Sequence, residues 1–285
     1  MNFRRLQNSL ITLSLLWALA GCVVSTPPST QEHTPTTAPF LPTPTAELPN
    51  IRPLTGGLVL EEYPLRRAPT TEPLSFQPVQ GTQADALARR QAWRATPLPH
   101  LSQSIDGVPF GSSYLDASLV VTPTVTEART FDKLAVQVRL DGEPFYTLPA
   151  GDSSPVSSLQ GLWAWDEHWV LEVAYVTVTI SAENVATSQV EGQLVQDGIL
   201  LNESLGYTEV FGFQLLHNQP FYFFQQAGQL GLSYAGQVAH LDYTHILHYG
   251  CCSAGVLNPL SAQDMVAFFA RQDESWYYVE IGVFE

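Results

Sequence analysis

Short runs of apolar, β-branched and aromatic residues, each bounded by Gly, Asn or Asp, recur along the chain after residue 100. Runs of this kind are typical of β-strands. The longest run, Trp169–Ile180, partly alternates between apolar and polar positions, which predicts that one of its faces meets solvent. The other predicted strands are Lys133–Leu140, Val210–Leu216, Phe221–Gln225, Gln229–Tyr234, Met265–Phe269 and Trp276–Val283. We therefore predict a mainly β domain over residues 101–285.

A repeated turn pattern indicates how these strands are joined. Asp106-Gly107, Asp141-Gly142 and His217-Asn218 each precede one residue and then Pro-Phe, and Asp166-Glu167 and Asp273-Glu274 are variants followed by Trp. Such pairs close antiparallel hairpins. The first two Pro-Phe turns lie 35 positions apart and the third lies 76 further on, near multiples of one blade-sized unit. We predict antiparallel hairpin sheets in a propeller-like array, with a β-sandwich or a distorted barrel as the alternative.

The N-terminus has the three parts of an export signal: a basic start with Arg4 and Arg5, an apolar run from Leu10 to Ala20, and small residues at its end. The run is too short to span a bilayer. It closes on Leu19-Ala20-Gly21-Cys22, which resembles the lipobox of bacterial lipoproteins.

The resemblance implies that residues 1–21 are a cleaved signal peptide and that Cys22 receives a diacylglyceryl group as the first residue of the mature chain. Two or more acyl chains hold a protein stably on a membrane. We therefore expect the domain on the extracytoplasmic face of a cell membrane, or of the outer membrane if one is present. Val23 follows the cysteine, so the Asp that usually signals retention at an inner membrane is not seen.

Composition divides the rest of the N-terminal third. Fourteen of the 21 prolines lie between Pro27 and Pro99. Residues 22–50 are mostly Thr, Pro, Ser and Ala, which bury too little apolar surface to fold, so we predict a disordered tether. Residues 51–100 are predicted to be a linker with one short helix over Thr82–Ala95, because Thr82 and Asp85 have capping-box spacing.

Charge excludes some partners of the predicted β domain. Residues 101–285 hold four basic and 21 acidic side chains. Such a field repels nucleic acid, so no nucleic-acid partner is expected, and it favours cations or basic partners, or solubility alone. Lys133 is the only lysine in the chain, which leaves little room for Schiff-base chemistry or a phosphate-loop lysine.

The chemically able side chains cluster in one segment, which contains His240, Asp242, His245, His248, Cys251 and Cys252. One interpretation is a disulfide between the adjacent Cys251 and Cys252, as expected outside the cytoplasm. A second is a zinc or copper site formed by the three histidines and two cysteines, although their spacing fits no standard zinc motif. A third is a Cys nucleophile paired with His245 or His248. The three alternatives stay open at this level.

Other catalytic patterns are not seen: the sequence holds no Gly-x-Ser-x-Gly, no His-Glu-x-x-His and no glycine-rich phosphate loop. Carboxylate pairs fall at predicted turns, where solvation explains them better than glycosidase chemistry. Exposed tryptophans could form a platform for sugars, but core packing explains them more simply; the residues concerned are Trp163, Trp165 and Trp169.

The C-terminal stretch of the chain is similar to uncharacterised bacterial lipoproteins. It contains Pro220-Phe221-Tyr222-Phe223-Phe224, His248-Tyr249-Gly250-Cys251-Cys252 and Trp276-Tyr277-Tyr278. The resemblance covers roughly the last 75 residues and implies no activity. We expect a lipid-anchored extracytoplasmic β domain that binds an unknown ligand or envelope partner without catalysis and without a cofactor. The alternatives are a hydrolase, which would use a carboxylate pair or a Cys-His pair, and a metal-binding lipoprotein.

Overall fold

The computed structural model describes residues 50–65, 67–70, 104–125, 130–183, 185–261 and 264–283. All of them belong to one of the two units into which the chain divides, Pro44–Glu285. The expected signal peptide, the lipidation site Cys22, the tether up to residue 49 and the helix expected over Thr82–Ala95 lie outside the described residues.

The described residues form eighteen strands and one short α-helix, α1 (Leu201–Leu205). Two 3-10 helices cover Thr55–Gly57 and Cys252–Leu257. The strands in chain order are β1 (Asn50–Pro53), β2 (Val59–Leu65), β3 (Ser104–Phe110), β4 (Ser113–Val125), β5 (Thr130–Leu140), β6 (Glu143–Asp152), β7 (Leu159–Trp165), β8 (His168–Ile180), β9 (Ala186–Gln196), β10 (Ile199–Leu200), β11 (Glu209–Leu216), β12 (Gln219–Gln226), β13 (Gln229–Tyr234), β14 (Gln237–His240), β15 (His245–Ile246), β16 (Leu260–Ser261), β17 (Met265–Gln272) and β18 (Ser275–Gly282).

These strands form three sheets. The six-stranded sheet has the order β1-β2-β18-β17-β15, with β16 also paired to β17. The eight-stranded sheet has the order β10-β9-β8-β6-β5-β4-β3, with β7 also paired to β8, and it curls into a half-barrel. The four-stranded sheet is the meander β11-β12-β13-β14. The prediction of a mainly β fold built from antiparallel hairpin sheets is therefore confirmed.

The sheets differ in size, which bears on the architectures named in the sequence analysis. Among the described strands, only the meander β11–β14 has the four strands of a propeller blade. The curled eight-stranded sheet corresponds to the distorted-barrel alternative. The repeated turn pattern therefore indicates similar hairpins and not a repeated blade.

The predicted linker over residues 51–100 is wrong for residues 51–53 and 59–65, which belong to β1 and β2. β2 pairs with β18 from Val59 opposite Gly282 to Leu65 opposite Trp276. Its side chains justify this pairing, since Leu60 and the preceding Leu58 are fully buried. The partner strand lies more than 200 positions away, so local proline-rich composition concealed a strand that tertiary pairing stabilises.

Most of the predicted hairpin turns are confirmed. Asp141-Gly142 joins β5 to β6 and His217-Asn218 joins β11 to β12, and all four residues have positive φ, as tight hairpin turns require. Asp106-Gly107 differs, because it lies inside β3. The pairing of β3 with β4 shifts register between Ile105 and Val108, so this pair forms a β-bulge in place of the predicted turn.

The six-stranded and four-stranded sheets pack face to face. Their shared core is rich in aromatic residues, with Phe211, Phe221, Phe223 and Phe268 nearly or fully buried. The ring centroids of Phe223 and Phe268 lie 4.9 Å apart, edge to face, across the two sheets. This core positions β11 and β15, which carry the candidate site.

Strand β8 is buried on both faces over its first half, contrary to the prediction that one face of Trp169–Ile180 meets solvent. Leu171 and Val173 point into the core of the curled sheet. Val170 packs on the opposite side, against residues of β11 and β12. Only the second half of β8, from Thr177 onward, is largely exposed, because there the hairpin with β9 extends beyond the packed sheets.

Candidate functional site

The structure places the predicted His and Cys cluster on three different elements. His240 ends β14 in the four-stranded sheet, and His245 begins β15 in the six-stranded sheet. His248 follows β15, and Cys251 and Cys252 lie further along the same connection, at the start of the second 3-10 helix.

His248 is held by contacts to both of its ring nitrogens. Nδ1 lies 2.7 Å from the carbonyl oxygen of Ile246, so Nδ1 carries a hydrogen and donates it. Nε2 lies 3.0 Å from Oε1 of Glu209. The ring also stacks on Phe211, with centroids 3.8 Å apart and planes 9° from parallel. The imidazole therefore has no free lone pair for a metal ion or for a cysteine thiol unless one of these contacts breaks.

The other two histidines of the cluster have different surroundings. The ring of His240 packs edge-on against Phe224 at 6.3 Å, whereas the ring of His245 lies 6.2 Å from that of His248. Burial, together with the nearby His248 and Arg271, lowers the pKa of His245. Over the described ranges, no group of three or more His, Cys, Asp or Glu side chains is placed to hold a metal ion. The zinc or copper site stays a prediction.

Cys251 and Cys252 face each other as free thiols. The Sγ atoms of Cys251 and Cys252 lie 3.2 Å apart, within hydrogen-bond distance. The hydrogen bond that these two thiols share raises the pKa of the Cys251 thiol. Cys252 is exposed and Cys251 is half-buried. The side chains can thus approach for a disulfide, and the disulfide itself stays a prediction.

Glu172 is the most deeply buried carboxylate of the site, and the sequence analysis missed it. Glu172 lies on β8 and is only 3% exposed. The backbone N–H groups of Gly212 and Phe213 donate to it at 2.9 and 2.7 Å, and Tyr249 Oη donates at 2.7 Å. Burial raises the pKa of Glu172, and these three hydrogen bonds and His248 oppose that rise. A single carboxylate inside an apolar strand was the available signal.

Tyr249 completes this buried pair. Its pKa is raised well above the ordinary value, first by burial and then by the negative charge of Glu172. The phenol therefore stays protonated and donates to the carboxylate. Gly192 on β9 leaves the space it needs, because a Cβ at that position would lie 2.8 Å from Tyr249 Oη and 2.3 Å from the carbonyl oxygen of Val210.

Glu209, at the start of β11, connects this buried pair to the surface. Its Oε1 accepts from the N–H of Gly192 at 3.2 Å and contacts His248 Nε2 at 3.0 Å. The Glu209 and His248 side chains are 16% and 12% exposed. Glu209 is therefore fixed in orientation while part of it still reaches solvent.

Glu209 also lines a shallow, open groove of about 400 Å³. The groove lies between β9, the start of β11 and the turn that joins β12 to β13. Amide, hydroxyl and carboxylate side chains dominate its lining, which consists of Gln189, Val190, Glu191, Thr208, Glu209, Gln225 and Gly228. Gln189 Nε2 donates to Glu191 Oε1 at 2.7 Å, and Thr208 Oγ1 donates to the Gln225 carbonyl at 3.1 Å, so two of these side chains are pre-oriented.

The remaining candidates from the sequence lie away from this groove. Asp166-Glu167 and Asp273-Glu274 occupy the β7–β8 and β17–β18 hairpin turns. Trp169 is 3% exposed in the core of the curled sheet. Trp163 and Trp165 are half-buried, and both indoles pack on Phe213. The ring centroids lie 4.9 Å apart for Trp163 and 5.7 Å apart for Trp165. Core packing thus explains much of the surface of these tryptophans.

Comparisons of the chain with family models, curated proteins and solved structures find no match. Within the described residues, no helix combines the length and apolar character needed to cross a membrane. The functional conclusion therefore depends on the sequence and on the geometry described above.

Proposed function

We propose that this chain is a lipid-anchored bacterial envelope protein whose β domain binds a polar ligand or an envelope partner, without catalysis, in the groove at Glu209. The anchoring part of the proposal is supported by the apolar leader and by Leu19-Ala20-Gly21-Cys22. The binding part is supported by the groove on the folded domain.

The fixed position of Glu209 is the observation that carries the choice of site. Two independent elements hold this carboxylate: Gly192 of β9 through its N–H, and His248 beyond β15 through its ring. A pre-oriented polar group in a groove lowers the entropic cost of ligand binding. Glu209 therefore has the properties of a recognition group.

The composition of the groove favours a ligand rich in hydrogen-bond donors. Glu191 and Glu209 contribute carboxylates, and the amides of Gln189 and Gln225 supply further polar atoms. The lining contains no lysine, arginine or histidine. A basic or polyhydroxylated partner complements such a surface, and the acidic charge of the whole domain acts in the same direction.

The chemistry of the neighbouring groups supports binding over hydrolysis. Glu172 accepts three hydrogen bonds and is not among the groove-lining residues, so it is poorly placed to act with Glu209 as a catalytic pair. His248 has both ring nitrogens engaged, so it is not available as a base for Cys251 or Cys252.

The proposal is tested by photo-crosslinking in the intact cell. A photoreactive amino acid replaces Thr208, an exposed groove residue, and in a control protein it replaces Glu274, an exposed residue in the β17–β18 turn. We expect a discrete adduct from position 208 and none from position 274. A second comparison places Glu209→Gln in the position-208 protein, with Glu167→Gln as the matched change at a turn carboxylate.

The adduct should fall strongly with Glu209→Gln and persist with Glu167→Gln, since Glu209 lines the groove and Glu167 does not. Equal adducts from positions 208 and 274, or no adduct from position 208, would refute the groove as the binding site. Turnover of a polysaccharide or peptide substrate that is lost with Glu209→Gln would show that the groove is catalytic and does not only bind.

A further inference from the structure

The connection between β15 and β16 holds two thiols in contact and two side chains of the candidate site. Cys251 Sγ and Cys252 Sγ lie 3.2 Å apart. Cys252 is exposed, so a reagent in solution can reach it, and its backbone has a left-handed φ of 57°. His248 and Tyr249 precede this pair by only a few residues and reach Glu209 and Glu172.

We propose that Cys251 and Cys252 form a reversible dithiol–disulfide pair that acts as a redox switch on the turn carrying His248 and Tyr249. The oxidant is a disulfide compound, either of low molecular weight or on a protein. The thiolate of the exposed Cys252 attacks one sulphur of that disulfide, forms a mixed disulfide and expels one thiolate. Cys251 then attacks Sγ of Cys252 and expels the second thiolate. The two cysteines lose two electrons and two protons, and the reagent leaves as two thiols.

Reversibility follows from the adjacency of the two residues. Neighbouring Cα atoms lie about 3.8 Å apart across a trans peptide bond, whereas most disulfides join Cα atoms about 4.4 to 6.8 Å apart. The described residues contain no cis peptide bond. A disulfide closed over such a short span is strained, and strained, accessible disulfides are reduced more easily than structural ones.

The turn is built so that a change at the cysteines is transmitted. Asn258 clamps Gly250 through two hydrogen bonds, with Oδ1 accepting from the Gly250 N–H at 2.7 Å and Nδ2 donating to its carbonyl at 3.1 Å. Tyr249 has a φ of 52° and is anchored by Glu172. Cys251 and Cys252 lie between Tyr249 and Asn258 in the chain. Closure of a ring at the cysteines therefore fixes the backbone of this segment and restricts Tyr249 and His248 as well.

The first measurement follows the redox state of the full chain in mixtures of reduced and oxidised glutathione. Free thiols are trapped with N-ethylmaleimide, and the peptide containing Cys251 and Cys252 is weighed by mass spectrometry. We expect two species that interconvert with the glutathione ratio: one with two maleimide groups and one that has lost two hydrogens. Independent glutathione adducts on each cysteine, or a bond that glutathione does not reduce, would overturn the reversible pair.

The second measurement tests transmission by hydrogen exchange in the oxidised and reduced full chain. We expect the amides of residues 246–258 to exchange about tenfold more slowly after oxidation, because the closed ring restricts local opening. Cys251→Ser keeps a similar side chain but cannot form the bond, so its exchange should not respond to glutathione. A disulfide that forms without slowing exchange at Tyr249 would show that the pair is not a switch. Neither measurement uses a groove ligand, so both outcomes are independent of the binding proposal.

Discussion

At the scale of single residues, Glu172 shows how a buried charge is accommodated. The carboxylate accepts hydrogen bonds from two backbone N–H groups and one phenol. Burial of an ionised group without such partners is strongly unfavourable. The arrangement joins β8 to β11 and to Tyr249, so the residue couples the curled sheet to the site.

We predict that Glu172→Gln lowers the free energy of unfolding by about 1 to 3 kcal/mol. An amide keeps the shape of the carboxyl group but replaces one acceptor oxygen with an NH2 group, which then faces a backbone N–H of Gly212 or Phe213. One buried donor is left without an acceptor. Urea unfolding at neutral pH measures the loss.

The matched control is Glu191→Gln in the groove. This residue is exposed and accepts a side-chain hydrogen bond from Gln189. The substitution should change stability by no more than about 0.5 kcal/mol. If both variants lose the same stability, the buried network at Glu172 does not contribute as described.

Of the residues that form the site, the sequence analysis proposed His248 as a candidate but not its neighbours Glu172 and Glu209. His248, Cys251 and Cys252 are close in sequence, and that proximity suggested a metal site or a nucleophile. The ring nitrogens of His248 are instead engaged by Ile246 and Glu209, and spacing along the chain carries no information about such contacts. A lone Glu172 among apolar residues was visible in the sequence, but its donors come from a strand about 40 positions later.

At the scale of elements, the join between β6 and β8 links the two halves of the eight-stranded sheet. The two strands run parallel there and pair at Gly151 and Val176. Gly151 has a φ of 81°, and a Cβ at this position would lie 2.0 Å from the carbonyl oxygen of Val176. Only glycine therefore allows the close approach of the two backbones.

We predict that Gly151→Ala lowers the free energy of unfolding by about 3 kcal/mol or more, since backbone strain and a steric clash act together. Gly142→Ala is the matched control. Gly142 also has a positive φ, of 88°, but nothing lies within 4 Å of its Cβ position. Its loss should be limited to the strain, about 1 kcal/mol. Thermal or urea unfolding of the two variants separates the contributions, and equal losses would mean that the β6–β8 contact is not tight.

Asp152 makes a pH-dependent contribution to stability at the same join between β6 and β8. A hydrogen bond from Lys133 and one from the N–H of Val178 lower the pKa of Asp152. Because the pKa is lower in the folded chain than the unfolded value of about 3.9, this stabilisation is present above that value. It is lost as the pH falls through the folded pKa.

We therefore expect Asp152→Asn to be less stable than the wild-type chain at neutral pH, by about 0.5 to 1 kcal/mol, because Lys133 is partly exposed and the ion pair is screened. The difference should shrink as the pH is lowered from about 5 to about 2. Urea unfolding across this range provides the comparison, with Asp132→Asn on β5 as an exposed control. If the stability difference between Asp152→Asn and the wild-type chain stays constant with pH, the lowered pKa of Asp152 is not its cause.

The sequence predicted well those elements whose bounds are determined by neighbouring residues in the chain. β13 matches its predicted bounds, Gln229–Tyr234, because alternating apolar residues and flanking turn residues determine it. The turn pair Asp106-Gly107 failed as a hairpin signal, since a bulge and a turn both use a positive φ at glycine. β1 and β2 were missed because their stabilisation comes from β18 at the other end of the described chain.

At the scale of the whole molecule, sheet order could not be read from sequence. The six-stranded sheet combines β1 and β2 with β15 to β18, and the eight-stranded sheet crosses from β6 to β8. Neither arrangement follows from local patterns, because long-range pairing depends on which exposed strand edges and apolar faces meet after the hairpins form. The mainly β class was predictable, whereas the division into three unequal sheets was not.

We propose that this β domain acts from a lipid anchor at Cys22. The intact mass of the protein extracted from the membranes of its host tests this proposal. We predict a chain that begins at Cys22 and carries a diacylglyceryl group, and we predict that Cys22→Ala yields no lipid-modified form, whereas Cys251→Ser keeps the modification. A mature chain that begins at another residue, or one that begins at Cys22 without lipid, would contradict the account.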